Sequence, residues 1–173
     1  NCTKCKKGRF REGDAAPALS CEACSAGFYQ DKEGQASCLP CVPGEFQDKN
    51  NSVNCTKCKK GRFREGDAAP ALSCEACPAG FYQDEKGQAS CLPCVPGKYG
   101  ALSGMTTCTK CSVNTFSSTT KKTMCDACEI GKVAPKEGSV SCSPCVAGTF
   151  SEAGPVCTDC DVGHYREGDA ASA

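Results

Sequence analysis

The chain has 173 residues, 20 of them cysteine and none tryptophan, and its 20 basic and 20 acidic side chains cancel. So much cysteine beside so little Leu, Ile and Phe excludes a conventional hydrophobic core, and points to a small disulfide-rich protein of an oxidising compartment, extracellular or at the cell surface. The neutral balance offers no basic stripe to a nucleic acid, and there is no apolar run of about 18 residues to span a membrane.

Ten C-x-x-C pairs run through the chain, opening at Cys2, Cys21, Cys38, Cys55, Cys74, Cys91, Cys108, Cys125, Cys142 and Cys157. The steps between them are 19, 17, 17, 19, 17, 17, 17, 17 and 15 residues, a period that marks a tandem repeat. Three residues after each pair comes a turn residue, and two further on an aromatic. The series is Gly8/Phe10, Gly27/Tyr29, Gly44/Phe46, Gly61/Phe63, Gly80/Tyr82, Gly97/Tyr99, Asn114/Phe116, Gly131/Val133, Gly148/Phe150 and Gly163/Tyr165. Asn is the best non-glycine tolerant of positive φ, so the exchange at Asn114 predicts a left-handed turn in every repeat. The aromatic is expected to lie across the neighbouring disulfide as a miniature core, with the Val133 repeat the most loosely packed. A second glycine, at Gly34, Gly87, Gly104, Gly138 and Gly154, predicts a hairpin tip, with Gly13-Asp14 and Asn50-Asn51 as turn formers elsewhere.

Residues 1–24 recur unchanged as 54–77. The expected organisation is three repeats in 1–53, a near-duplicate in 54–106, and further repeats in 107–173 that end on a partial one. No leader precedes Asn1, which suggests processing or a window on a longer chain. Helix signals are absent. The expected fold is therefore an elongated tandem-repeat rod of short β-hairpins and turns, each touching mainly its neighbours.

Three chemistries suit paired cysteines. Zinc accepts C-x2-C spacing, but the run is uninterrupted and supplies no histidine ligands, since the sole His164 stands where Arg9 and Arg62 do. Thioredoxin-like redox work needs a helix start to lower a thiol pKa, and none is predicted. Structural disulfides remain, in either of two connectivities. A ladder joins the second cysteine of each pair to the first of the next: Cys5–Cys21, Cys24–Cys38, Cys41–Cys55, Cys58–Cys74, Cys77–Cys91, Cys94–Cys108, Cys111–Cys125, Cys128–Cys142 and Cys145–Cys157. Closed modules instead bond adjacent pairs crosswise. The shared loop signature favours the ladder, but sequence alone leaves both open.

Asn50, Asn54 and Asn1 each begin an N-x-Ser/Thr sequon and are the glycosylation candidates, Asn50 foremost because cysteine occupies the middle position of the others. Thr115, Ser117, Ser118, Thr119 and Thr120 form a hydroxyl-rich tract that reads as a solvated loop and a candidate for O-glycosylation. Asp14, Asp67 and Asp169 follow glycine and read as turn residues rather than calcium ligands. One histidine and evenly repeated acids assemble no catalytic constellation, so neither enzyme activity nor a cofactor is expected.

The phrase C-x-x-C-x-x-G-x-F/Y…G-x-x-x-C-x-x-C resembles the ephrin-receptor-like cysteine-rich repeat, over essentially the whole chain. The stretch from Asn50 to Gly61 is also similar to modules of tumour necrosis factor receptors, without the extra cysteines of their larger modules. The resemblance implies the ladder pairing, and a setting such as protist surface proteins or flagellar hair (mastigoneme-like) proteins. The function expected is an extracellular fibre subunit that self-associates end to end and carries glycans. Its counterpart is a ligand-binding or adhesive ectodomain of a surface receptor or antigen. The ladder leaves Cys2 and Cys160 over, as candidates for an inter-unit disulfide.

Overall fold

The computed structural model describes residues 3–13, 20–66, 70–152 and 154–164. Asn1, Cys2, Asp14, Asp67, Tyr165 and Asp169 lie outside the described residues.

Among the described residues there is no helix; eighteen two-residue strands pair into nine hairpins. The pairing is antiparallel, with Arg9 opposite Ala23 and Phe10 opposite Glu22, and Phe28 opposite Pro40 and Tyr29 opposite Leu39. The return strand of each hairpin is always the two residues between the cysteines of a pair, as in Glu22–Ala23, Leu39–Pro40 and Thr56–Lys57.

That placement decides the disulfides. In extended backbone, side chains alternate faces and residues three apart stand roughly 10 Å from one another. The two cysteines of a pair therefore point opposite ways, beyond the roughly 7 Å that a disulfide spans. Each must bond another pair. Nine disulfides do so: Cys5–Cys21, Cys24–Cys38, Cys41–Cys55, Cys58–Cys74, Cys77–Cys91, Cys94–Cys108, Cys111–Cys125, Cys128–Cys142 and Cys145–Cys157. We number the loops they close 1 to 9. Loops 1 and 4 join cysteines 16 residues apart, loop 9 cysteines 12 apart, and the others cysteines 14 apart.

The chain divides into two compact units. One comprises Asn1–Pro78, Tyr82–Leu92 and Gly104–Thr106; the other Ala79–Phe81, Pro93–Ser103 and Thr107–Ala173. Within the first, one loop grips the next through three main-chain hydrogen bonds. The Gly8 N–H donates to the Gln30 carbonyl (2.8 Å), Arg11 N–H to Gln35 (3.1 Å), and Gly34 N–H to Cys5 (2.8 Å). Gly27 to Gln47, Gln30 to Ser52 and Asn51 to Cys24 repeat the pattern. The second unit uses the same three positions: Gly97 to Ser117 (2.8 Å), Gly100 to Lys122 (3.0 Å) and Lys121 to Cys94 (2.9 Å).

What is enclosed is chiefly sulfur and main chain, with a few polar side chains such as Gln30, Gln83 and Ser117. The second cysteines Cys24, Cys58, Cys77, Cys94 and Cys111 are fully buried. The aromatics Phe10, Tyr29, Phe46, Phe63, Tyr82, Tyr99, Phe116 and Phe150 are only half-buried. They line the hairpins and do not form the core expected of them. Val133 also corrects its expectation: it and the following Ala134 are buried, at 9% and 1% exposure. A short branched side chain sinks where a ring cannot.

The turn residue is left-handed throughout, with φ of 83° at Gly80 and 60° at Asn114. A second requirement was not visible in sequence. A Cβ on Gly44, Gly61, Gly80 or Gly97 would overlap a main-chain carbonyl at the tip of the loop two further on, at Gly87, Gly104, Lys121 or Gly138. Asn114 stands two loops before loop 9, the shortest, and Gly148 has nothing within 4 Å of its would-be Cβ. Asparagine at 114 is admitted by its φ, and its Oδ1 is buried. Gly80→Asn should impair oxidative folding almost as badly as Gly80→Val, by about 3 kcal/mol or more. Gly148→Asn should cost about 1 kcal/mol or less. Yields of fully oxidised monomer in non-reducing chromatography check both, and a mild Gly80→Asn would contradict the close approach.

Candidate functional site

The polar chemistry of this chain lies within its disulfide-closed loops and at the joints between them. In loops 2, 3 and 5 the residue after the aromatic is a buried glutamine that staples its loop from within. The Gln30 Nε2 donates to the Ser37 carbonyl at 2.7 Å, and its Oε1 accepts the Lys32 N–H at 3.0 Å. Gln47 does the same with Asn54 and Lys49, and Gln83 with Ser90 and Glu85. The long loops 1 and 4 have another brace: Arg9 Nη1 donates to the Cys21 carbonyl at 3.0 Å and Arg62 Nη1 to that of Cys74 at 2.9 Å.

Loop 4 shows why its post-aromatic residue is Arg64. The tip position that donates to the preceding second-cysteine carbonyl elsewhere is Pro70 here, adjoining Ala71, whose carbonyl accepts the Gln47 N–H at 2.8 Å. Proline has no N–H. The Arg64 guanidinium replaces it: Nη2 donates to the Cys41 carbonyl at 2.7 Å and the Val42 carbonyl at 2.9 Å, and Nε to that of Glu45 at 2.6 Å. Arg64 is 8% exposed. Arg11, its counterpart in the duplicated phrase, is exposed.

Of the residues singled out in sequence, the eighteen cysteines named above are brought together in pairs. Cys160 is a half-exposed free thiol, while Cys2 lies outside the described residues. Asn50 and Asn54 are exposed on loop 3, and Asn50 Oδ1 accepts the Ala26 N–H at 2.9 Å. In the hydroxyl-rich tract, Ser117 is buried and its Oγ donates to the Thr119 carbonyl at 3.1 Å, whereas Ser118, Thr119 and Thr120 are exposed. Among the described residues, no group of three or more His, Cys, Asp or Glu is placed to hold a metal ion. A shallow groove in the second unit is lined by Phe116, Asp126, Ala127, Glu129, Lys132 and Ser141, among others. There Lys132 Nζ donates to Glu129 at 2.8 Å, and this hydrogen bond, with the charge behind it, holds the Glu129 carboxyl below its ordinary pKa.

Sequence reasoning passed over the glutamines and Arg64, although all occupy one register position after the aromatic. Aligning that position across the repeats would have exposed them as a set. Arg64→Met should destabilise the chain by about 3 kcal/mol, because three carbonyls lose a charged donor inside a joint. Arg11→Met in the isolated molecule should stay within about 0.5 kcal/mol. Denaturant unfolding under non-reducing conditions compares the two, and equal effects would refute the carbonyl cap.

Comparison with known proteins bears on the same repeats. A family model described as tyrosine-protein kinase ephrin type A/B receptor-like matches residues 13–58, 27–71 and 66–104. No curated protein matches the chain. Among the described residues no helix is long and apolar enough to cross a membrane. The three matches together cover residues 13–104, more than half of the 173, and each takes in at least one whole disulfide-closed loop. The chain belongs to the tyrosine-protein kinase ephrin type A/B receptor-like family, as a tandem array of its cysteine-rich repeats.

Proposed function

We propose that this chain is an extracellular structural repeat protein, a fibre subunit built by end-to-end association. The observation that carries the reading is the uniform joint. Three main-chain bonds recur at most of the joints, and where Pro70 removes one the buried Arg64 guanidinium stands in. A surface spent on joining one repeat to the next suits a spacer or fibre, and repeats that bond only to neighbours can add indefinitely. The blocks 1–53 and 54–106, with 107–173 as a divergent third, are the units of growth in this reading. Negative-stain microscopy of the purified chain should show filaments, and light scattering a mass that rises with concentration. Discrete particles of constant mass would defeat the fibre.

One observation favours a second reading, a receptor-like or adhesive ectodomain. The groove beside Phe116 lies in the stretch where the repeats depart most from one another. Discrete particles would shift the weight to this reading.

Asn50 is the glycosylation site in either setting. Its side chain is exposed, and its Oδ1 bond to Ala26 uses the one amide atom that an N-linked glycan leaves unaltered. Chain secreted from eukaryotic cells should carry one N-linked glycan that is lost in Ser52→Ala. A glycosidase-sensitive mass that persists in this variant would refute the assignment.

A further inference from the structure

The loop tips are of two kinds. In loops 2, 5, 6 and 8 the tip turns on a glycine of positive φ, at Gly34 (70°), Gly87 (74°), Gly104 (76°) and Gly138 (75°). In loops 3 and 7 the same register position carries a side chain, at Asn51 (φ 59°) and Lys121 (φ 64°). The three residues before the tip residue are exposed in all of these loops. Charge keeps most of them solvated, as in Asp31-Lys32-Glu33, Asp48-Lys49, Asp84-Glu85-Lys86 and Lys136-Glu137. In loop 7 the three are Ser118, Thr119 and Thr120, hydroxyls without a charge among them. Thr120 thus stands in the register that Asn50 occupies in loop 3.

The ends of this tract are fixed. The Gly97 N–H donates to the Ser117 carbonyl at 2.8 Å, the Lys121 N–H to that of Cys94 at 2.9 Å, and the Gly100 N–H to that of Lys122 at 3.0 Å. Two of its hydroxyls are turned to main chain. Thr115 Oγ1 donates to the Ser112 carbonyl at 2.8 Å, and the buried Ser117 Oγ to the Thr119 carbonyl at 3.1 Å. The cations that follow are engaged as well. Lys121 Nζ lies 5.3 Å from the centre of the Phe81 ring, and Lys122 Nζ is 2.7 Å from Asp126. What remains is an anchored arch with three exposed hydroxyls at its crest.

We propose that the tip of loop 7 is an O-glycosylation site, with Thr120, Thr119 and Ser118 as acceptors. Serine- and threonine-rich tracts are the composition on which O-glycans are built, and a bulky hydrophilic sugar needs a surface position of this kind. Being neutral, it leaves the contacts of Lys121 and Lys122 as they are. A phosphate would instead find both neighbouring cations already partnered. In the transfer, the hydroxyl oxygen attacks the anomeric carbon of a sugar nucleotide, and the bond from that carbon to the diphosphate breaks. The nucleoside diphosphate leaves, and the hydroxyl proton passes to a base of the transferase. The proposal rests on the extracellular reading, which takes the chain through the compartment of these transferases, and is independent of the fibre.

The test uses chain given a secretory leader in eukaryotic cells, freed of N-linked glycans, then reduced, alkylated and digested with trypsin. The peptide that begins at Cys111 is fragmented by electron transfer, which keeps sugars on their side chains. Sugar masses are expected within Ser118–Thr120 and none on Thr115 or Ser117. The combined variant Ser118→Ala, Thr119→Ala, Thr120→Ala should lose the added mass entirely and be secreted as before, since its three side chains lie on the surface. A bare peptide from secreted, oxidised chain would overturn the site and leave the extracellular reading standing, as would sugar confined to Thr115 or Ser117, or phosphate in its place. Chain that stays in the cell with its cysteines reduced would sink the site and the extracellular reading together.

Discussion

Two extended residues between paired cysteines constrain everything else in this protein. Because the strand alternates its faces, the two sulfurs point opposite ways, and neither can satisfy the other. Each pair must reach one partner upstream and one downstream, so crosslinks follow the chain in a single series. Every crosslink closes a loop of similar length, and each such closure restrains the unfolded chain by about 3 kcal/mol. That sum stands in for the apolar core that this composition cannot supply. It also explains why the most buried atoms belong to the second cysteines and not to the half-exposed rings.

Crosslinks along the chain do not by themselves hold one loop against the next. That work falls to main-chain donors and acceptors, which must be satisfied once they are covered. The recurring set of three bonds does this with atoms common to all residues, which lets the side chains diverge. Where the backbone cannot comply, a side chain intervenes. Pro70 removes a donor, and the Arg64 guanidinium reaches back across the joint to three carbonyls of the preceding loop. The buried glutamines brace the shorter loops, whereas Arg9 and Arg62 brace the longer ones. The surface ion pairs of Lys122 with Asp126 and of Lys132 with Glu129 contribute little beside these bonds.

This economy bears on function. Exposed apolar residues such as Val42, Leu102, Val146 and Val162 are scattered along the loops, while recurrent main-chain bonds and the Arg64 guanidinium join one repeat to the next. Contacts that join repeat to repeat are what supports the fibre proposed above. Membership of the ephrin type A/B receptor-like family is compatible with that use and with an ectodomain that presents a ligand surface.

Much of the architecture follows from the sequence alone. The cysteine period sets the number and size of the loops, the recurrent glycine marks the left-handed turn, and the lack of helix signals leaves hairpins. These are local properties, carried by spacing and by φ preference, so a single sequence is enough to read them. The choice between ladder and closed modules was not decided there, because it depends on which way two neighbouring sulfurs point. Only the paired strands settle that. The same holds for Gly80, whose need for glycine comes as much from the Lys121 carbonyl as from its own φ. It holds again for Val133, which is buried where an aromatic is half-exposed. Arg11 and Arg64 make the contrast plainest. They are the same residue in the same phrase, and nothing in that phrase tells that Arg64 caps three carbonyls; the loop packed against it decides that.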